Sequence, residues 1–173
     1  MKTTDIGAKP FPYDFHEQNT FICGKAVTLL SAATTQLSKL DAEKNTVLVT
    51  DPYLFPDNPN GTCQSDLITL LMNLKAAKII YCAKSKRNVN FFQQVCSTLQ
   101  ASGTALEFNN QLEDCHDRFW YCPETEKCVV FGTSLNGIGR KICRIDMLTD
   151  VETQELKQFF VSAGIISGGS SGA

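Results

Sequence analysis

Between Lys25 and Leu40, apolar side chains recur every three or four residues at Ala26, Leu29, Leu30, Ala33, Leu37 and Leu40, which predicts a helix with one buried stripe. The next segment, Asn45 to Thr50, is a short β-branched run stopped by Asp51-Pro52, as a buried strand entering a loop would be. Turn formers (Pro56, Asn58, Pro59, Asn60 and Gly61) fill the stretch from Tyr53 to Thr62. Helical spacing returns over Ser65 to Leu74, through Leu67, Ile68, Leu70, Leu71 and Leu74. Lys78 to Cys82 predicts a second strand, and Arg87 to Ser102 a third helix closed by Gly103. Thr104–Phe108, Arg118–Cys122, Lys127–Phe131 and Ile142–Met147 follow as strands, the middle two joined by a Pro123–Glu126 turn, before a last helix over Glu152 to Ser162.

The alternation β-α-β-α implies an α/β fold with a mixed, largely parallel sheet, flanked by helices on both faces, whose sites gather at the carboxyl ends of the strands. No composition break or solenoid repeat divides the chain, so one domain is expected over 20–164, preceded by an arm at 1–19 that carries Phe11, Tyr13 and Phe15. Residues 165–173 read as a flexible tail ending in Gly/Ser linker composition.

Composition narrows the function classes only modestly. The 173 residues are 43% hydrophobic and 20% charged with a formal net charge of -2, which describes a globular chain without a global basic field. Phosphate chemistry would therefore rest on local clusters. The opening residues lack the apolar run of a secretory signal, so a cytoplasmic location is expected, and the eight cysteines are expected to be thiols packed as small hydrophobes. Cys115, His116, Cys122 and Cys128 do not follow a usual zinc spacing, and no metal or other cofactor is expected.

The stretch richest in chemistry runs from Cys115-His116-Asp117-Arg118 to Gly132-Thr133-Ser134-Leu135-Asn136, then to Arg140-Lys141. Two positions apart on an extended strand, His116 and Arg118 point to one face and can converge on an anion. Thr133, Ser134 and Asn136 add hydroxyl and amide donors beside a glycine, and Arg140 and Lys141 add two cations. Histidine can attack phosphorus, while arginine offers a two-pronged fork to phosphate oxygens. Lys84, Lys86 and Arg87 could extend such a face but read first as a solvated charge run. Asp51 stands either at a site or as a turn cap before Pro52, and Phe119, Trp120 and Tyr121 read as packing residues.

These two segments resemble the phospholipase D-like superfamily, whose motif is His-x-Lys, four residues, Asp, and then Gly-Ser-x-Asn after a short strand. The likeness is to the subset with His-Asp-Arg-Phe followed by Gly-x-Ser-Leu-x-x-(Leu/Ile)-Gly-(Arg/Lys)-Lys, and it spans Cys115 to Lys141. It implies that His116 takes the place of the family nucleophile, Arg118 that of its phosphate-binding lysine, and Gly132-Thr133 that of Gly-Ser. Pro123 occupies the aspartate position, Leu135 precedes Asn136 where asparagine is expected, and Glu124 or Glu126 is near enough in sequence to substitute for the missing carboxylate.

The resemblance implies a metal-independent phosphodiesterase of nuclease type. With one motif copy, it also implies a homodimer that pools two His116 side chains in a shared site. Two other classes stand beside it: a catalytically degenerate module binding a lipid headgroup or nucleic-acid backbone, and a protein-interaction domain that keeps the motif as a hydrogen-bond network. His-Asp-Arg domains of this kind in MIT-domain proteins, where the resemblance implies phosphoinositide binding, favour the degenerate module.

Overall fold

The computed structural model describes residues 19–21, 26–59, 62–82, 87–115, 117–134 and 143–167. Among them lies one seven-stranded mixed sheet: β1 (Asn19–Phe21), β2 (Thr46–Val49), β3 (Lys78–Tyr81), β4 (Ala105–Phe108), β5 (Arg118–Cys122), β6 (Lys127–Phe131) and β7 (Cys143–Met147). Its spatial order is β1-β7-β6-β5-β2-β3-β4. Four helices accompany it, α1 (Ala26–Ser38), α2 (Cys63–Asn73), α3 (Val89–Ala101) and α4 (Asp150–Ser162), with a single 3-10 turn at Asn110–Asp114.

The α/β class and the mixed sheet follow the sequence reading, but the expectation of a largely parallel sheet is corrected. Only β2 with β3 and β3 with β4 run parallel. The other four pairings are antiparallel. For the parallel pairs and for β5 with β6 the reason is connection length. Parallel neighbours need a crossover, which α2 and α3 supply, whereas β5 and β6 are joined by a four-residue turn that can only reverse the chain. Glu126, with φ of 53°, completes that reversal.

Strand alternation divides the core in two. Val47, Val49, Ile79, Tyr81, Trp120, Cys122, Val129 and Phe131 face one layer, packed with Ala33 and Leu37 of α1, Leu67, Leu70 and Leu71 of α2, and Phe91, Val95 and Leu99 of α3. Leu48, Ile80, Cys82, Tyr121 and Cys128 face the other, where Phe160 and Leu156 of α4 cover them together with Leu112, Ile165 and Ile166. Helices thus cover both faces of the sheet, three on one side and one on the other. The central strands are buried on both sides, which is why β2 and β3 read as nearly continuous apolar runs.

Local signals set the helix limits. The side chain of Asn88 accepts from Phe91 N at 2.9 Å at the start of α3, and Gly103, with φ of 87°, lets the chain leave its end through a left-handed turn. At α4, Thr149 and Glu152 form a reciprocal capping box.

Candidate functional site

Because β5 is antiparallel to β2 and β6 to β5, the carboxyl ends of β2 and β6 lie at the same end of the sheet as the start of β5. That end holds Thr50-Asp51 after β2, Arg118 at the start of β5, and Gly132-Thr133-Ser134 after β6. Arg118 is paired in register with Phe131, so Thr133 lies two residues beyond it on the neighbouring strand. By strand parity Arg118 shares the three-helix face with Trp120 and Cys122.

Thr50 holds this end together. Its N–H donates to the Phe119 carbonyl at 3.0 Å, as the ladder requires. In the reverse direction Phe119 N donates to Thr50 Oγ1 at 2.8 Å, and that hydroxyl donates in turn to the Asp117 carbonyl at 2.9 Å. A side-chain oxygen thus replaces the carbonyl of Thr50 in the ladder, so the chain can turn into Asp51-Pro52 while the start of β5 stays pinned. Thr50 is completely buried, and sequence reasoning passed over it. Its signal was a lone hydroxyl ending an apolar run just before a proline.

Asp51 resolves toward the turn. Its carboxylate accepts from Tyr53 N at 3.0 Å, its carbonyl accepts from Leu54 N at 2.9 Å, and it is 1% exposed. It shapes the loop leaving β2 from directly beside the first residues of β5.

Of the predicted site residues, the structure brings Arg118, Thr133 and Ser134 to one end of the sheet, all three half-buried. His116, Asn136, Arg140 and Lys141 lie outside the described residues, as do Lys84 and Lys86. Glu124 and Glu126, near enough in sequence to substitute for the carboxylate missing at Pro123, share its end of β5. Both lie in the turn after β5, about 17 Å from Arg118 at the rise of an extended strand. There Glu124 accepts from Thr46 N at 3.1 Å, and Glu126 binds Lys157 and Gln154, which hold its carboxyl below the usual glutamate range. Pro123 is at that far end too.

The aromatic run packs as expected. Trp120 meets Phe131 with centroids 5.6 Å apart on one face of the sheet, and Tyr121 meets Phe160 at 5.6 Å on the other. Cys122 and Cys128 also lie on opposite faces, which places these two thiols in different layers of the core. Burial pushes the Cys128 thiol well above its ordinary range. Arg87 rests over the Phe92 ring, its Cζ 4.4 Å from the centroid, so this member of the charge run is stacked on an aromatic ring rather than simply solvated.

On the α4 side of the same sheet end, a cleft of about 290 Å³ is lined by Asp117, Gly132, Arg144, Asp146 and Glu152 among others. Arg144 pairs with Asp146 within it. Among the described residues no helix is long and apolar enough to cross a membrane. No protein-family model matches the chain, and no curated protein matches its sequence.

Proposed function

We propose that this end of the sheet is a phosphate site and that the chain is a phospholipase D-like phosphodiesterase acting through His116 without a metal. The observation that carries the reading is that strand pairing brings Arg118, at the start of β5, to the same end of the sheet as Thr133 and Ser134 after β6 and the carboxyl end of β2. A guanidinium fork and two hydroxyls meet the needs of a doubly coordinated phosphate oxygen pair. His116 precedes Arg118 by two residues, within reach of the same anion if the extended chain continues.

In the proposed reaction a His116 imidazole nitrogen bonds to phosphorus while the bond from phosphorus to the leaving oxygen breaks. A second imidazole, from His116 of another copy, delivers the proton to that oxygen. Water then displaces the phosphohistidine, returning the proton and freeing the first imidazole. Arg118 and the hydroxyls hold the negative oxygens throughout.

The test is cleavage of single-stranded DNA, RNA and a generic phosphodiester in EDTA, with oligomeric mass recorded in the same buffer. Activity from a dimer that disappears in His116→Ala supports the reading. Equal silence from both proteins contradicts it.

A second reading, phosphate binding without cleavage, has its own support: Pro123 stands where the family motif has an aspartate, and it offers no carboxylate. It calls for an affinity that falls with salt and no turnover.

A further inference from the structure

The carboxyl ends of β3 and β4, beside the candidate phosphate site, carry a connected group of aromatic rings. Phe108 closes the edge strand β4 and is 53% exposed. Its ring stands 5.9 Å from that of Tyr81, its register partner on β3, at an interplanar angle of 67°. Tyr81 contacts Phe55 at 5.4 Å, and Phe55 contacts Phe92 at 4.9 Å, under the Arg87 guanidinium. Edge-to-face contacts with Tyr81 and the rings behind it hold this exposed ring in orientation, so ordering it on binding costs little further entropy. Tyr53, 45% exposed, lies in the turn between this group and the start of β5.

We propose that Phe108, braced by Tyr81, is a stacking platform for an unpaired nucleobase, making single-stranded nucleic acid the substrate class of the phosphate site. This inference rests on the phosphate reading above and narrows it. From Arg118 on β5 to Phe108 on β4 the sheet spans three strand intervals, roughly 15 Å. That distance corresponds to about four nucleotides at the duplex rise of 3.4 Å per residue, and to fewer in an extended strand. Rings of this kind accept any base with an open face, and only an unpaired base has one.

A bilayer fits the same surface poorly. Phe108 closes a strand instead of capping a projecting loop, and its neighbour Glu107 is exposed and paired with Lys78, so membrane burial would desolvate an ion pair.

The experiment uses the full chain and measures fluorescence anisotropy of two phosphorothioate dodecamers, one of thymidines and one abasic, alongside sedimentation with vesicles containing phosphatidylserine. The thymidine oligomer should bind more tightly than the abasic one. Phe108→Ala should weaken the thymidine oligomer about 5- to 150-fold while leaving the abasic one unchanged, and Phe108→Tyr should retain binding. Arg118→Ala should weaken both oligomers alike. Equal wild-type affinity for the two oligomers, or an unchanged Phe108→Ala, overturns the platform but leaves the phosphate site standing. Binding of neither oligomer overturns both proposals. Vesicle binding that depends on Phe108, with oligonucleotide binding that does not, replaces the nucleic acid with a membrane.

Discussion

The two ends of the β5–β6 hairpin use their polar residues in opposite ways. At the turn end every conspicuous polar group ties one element to another: Glu124 to the start of β2, Thr125 to the carbonyl of Leu40 after α1, Lys127 to Asp41, and Glu126 to α4. At the open end the Thr50 hydroxyl joins β2 to the start of β5, while Thr133 and Ser134 have no side-chain hydrogen bond among the described residues. The first arrangement secures the fold. The second leaves the Thr133 and Ser134 hydroxyls at the end of the sheet that holds Arg118, which is the end proposed to take phosphate. Four strand residues and Pro123 separate Arg118 from Glu124, which is anchored at the start of β2.

Breaking the open end should have the largest effect. Arg118→Ala is expected to weaken binding of an abasic phosphodiester oligomer about 10- to 150-fold, the worth of a charge-assisted hydrogen bond, with Arg118→Lys intermediate because it keeps charge without the fork. Glu124→Gln, at the turn end, should leave that affinity unchanged in the same titration. Thr50→Val preserves shape but removes the hydroxyl that serves Phe119 N and the Asp117 carbonyl. It should cost about 1–3 kcal/mol in a urea titration and lower phosphate affinity as the start of β5 loosens.

Tyr121 gives a smaller effect of opposite sign. Its hydroxyl is buried without a hydrogen-bond partner among the described residues, and burial, with a smaller contribution from Glu126 nearby, pushes its pKa up to about 12 from 10.0. Tyr121→Phe should therefore raise stability by about 1 kcal/mol at neutral pH. A raised pKa means that the folded state resists ionisation, so wild-type stability from this group is complete below pH 10 and is lost as pH climbs toward 12. The Phe variant should lack that alkaline loss.

The smallest effect belongs to Glu126. Its lowered pKa, caused first by the Lys157 and Gln154 hydrogen bonds, contributes stability above the ordinary value of 4.5 that is lost as pH falls through the folded value. Glu126→Gln should differ from wild type in urea midpoint at pH 6 and converge with it near pH 3.

Elements with strong local signals were legible. The β-branched run ending at Asp51-Pro52 became β2, the leucines of residues 65–74 became α2, and Gly103 ended α3. The 3-10 turn at Asn110–Asp114 and the three-residue β1 were not legible, since neither is long enough to show a period. The sheet was expected to be largely parallel because the first half alternates strands and helices; that alternation ceases after β4, and the four-residue turn after β5 reverses the chain into β6. Spacing singled out Arg118 and Thr133, which the structure brings to one end of the sheet, but only tertiary pairing reveals Thr50, whose role depends on Phe119 lying 69 residues away.

The most direct test is an amide chemical-shift titration of the chain with the abasic phosphodiester oligomer. Shifts concentrated at Thr50, Arg118, Gly132, Thr133 and Ser134, with residues 123–126 unmoved, are the expected result. Shifts confined to the turn end, or none at millimolar ligand, would contradict the assignment of the open end as a phosphate site.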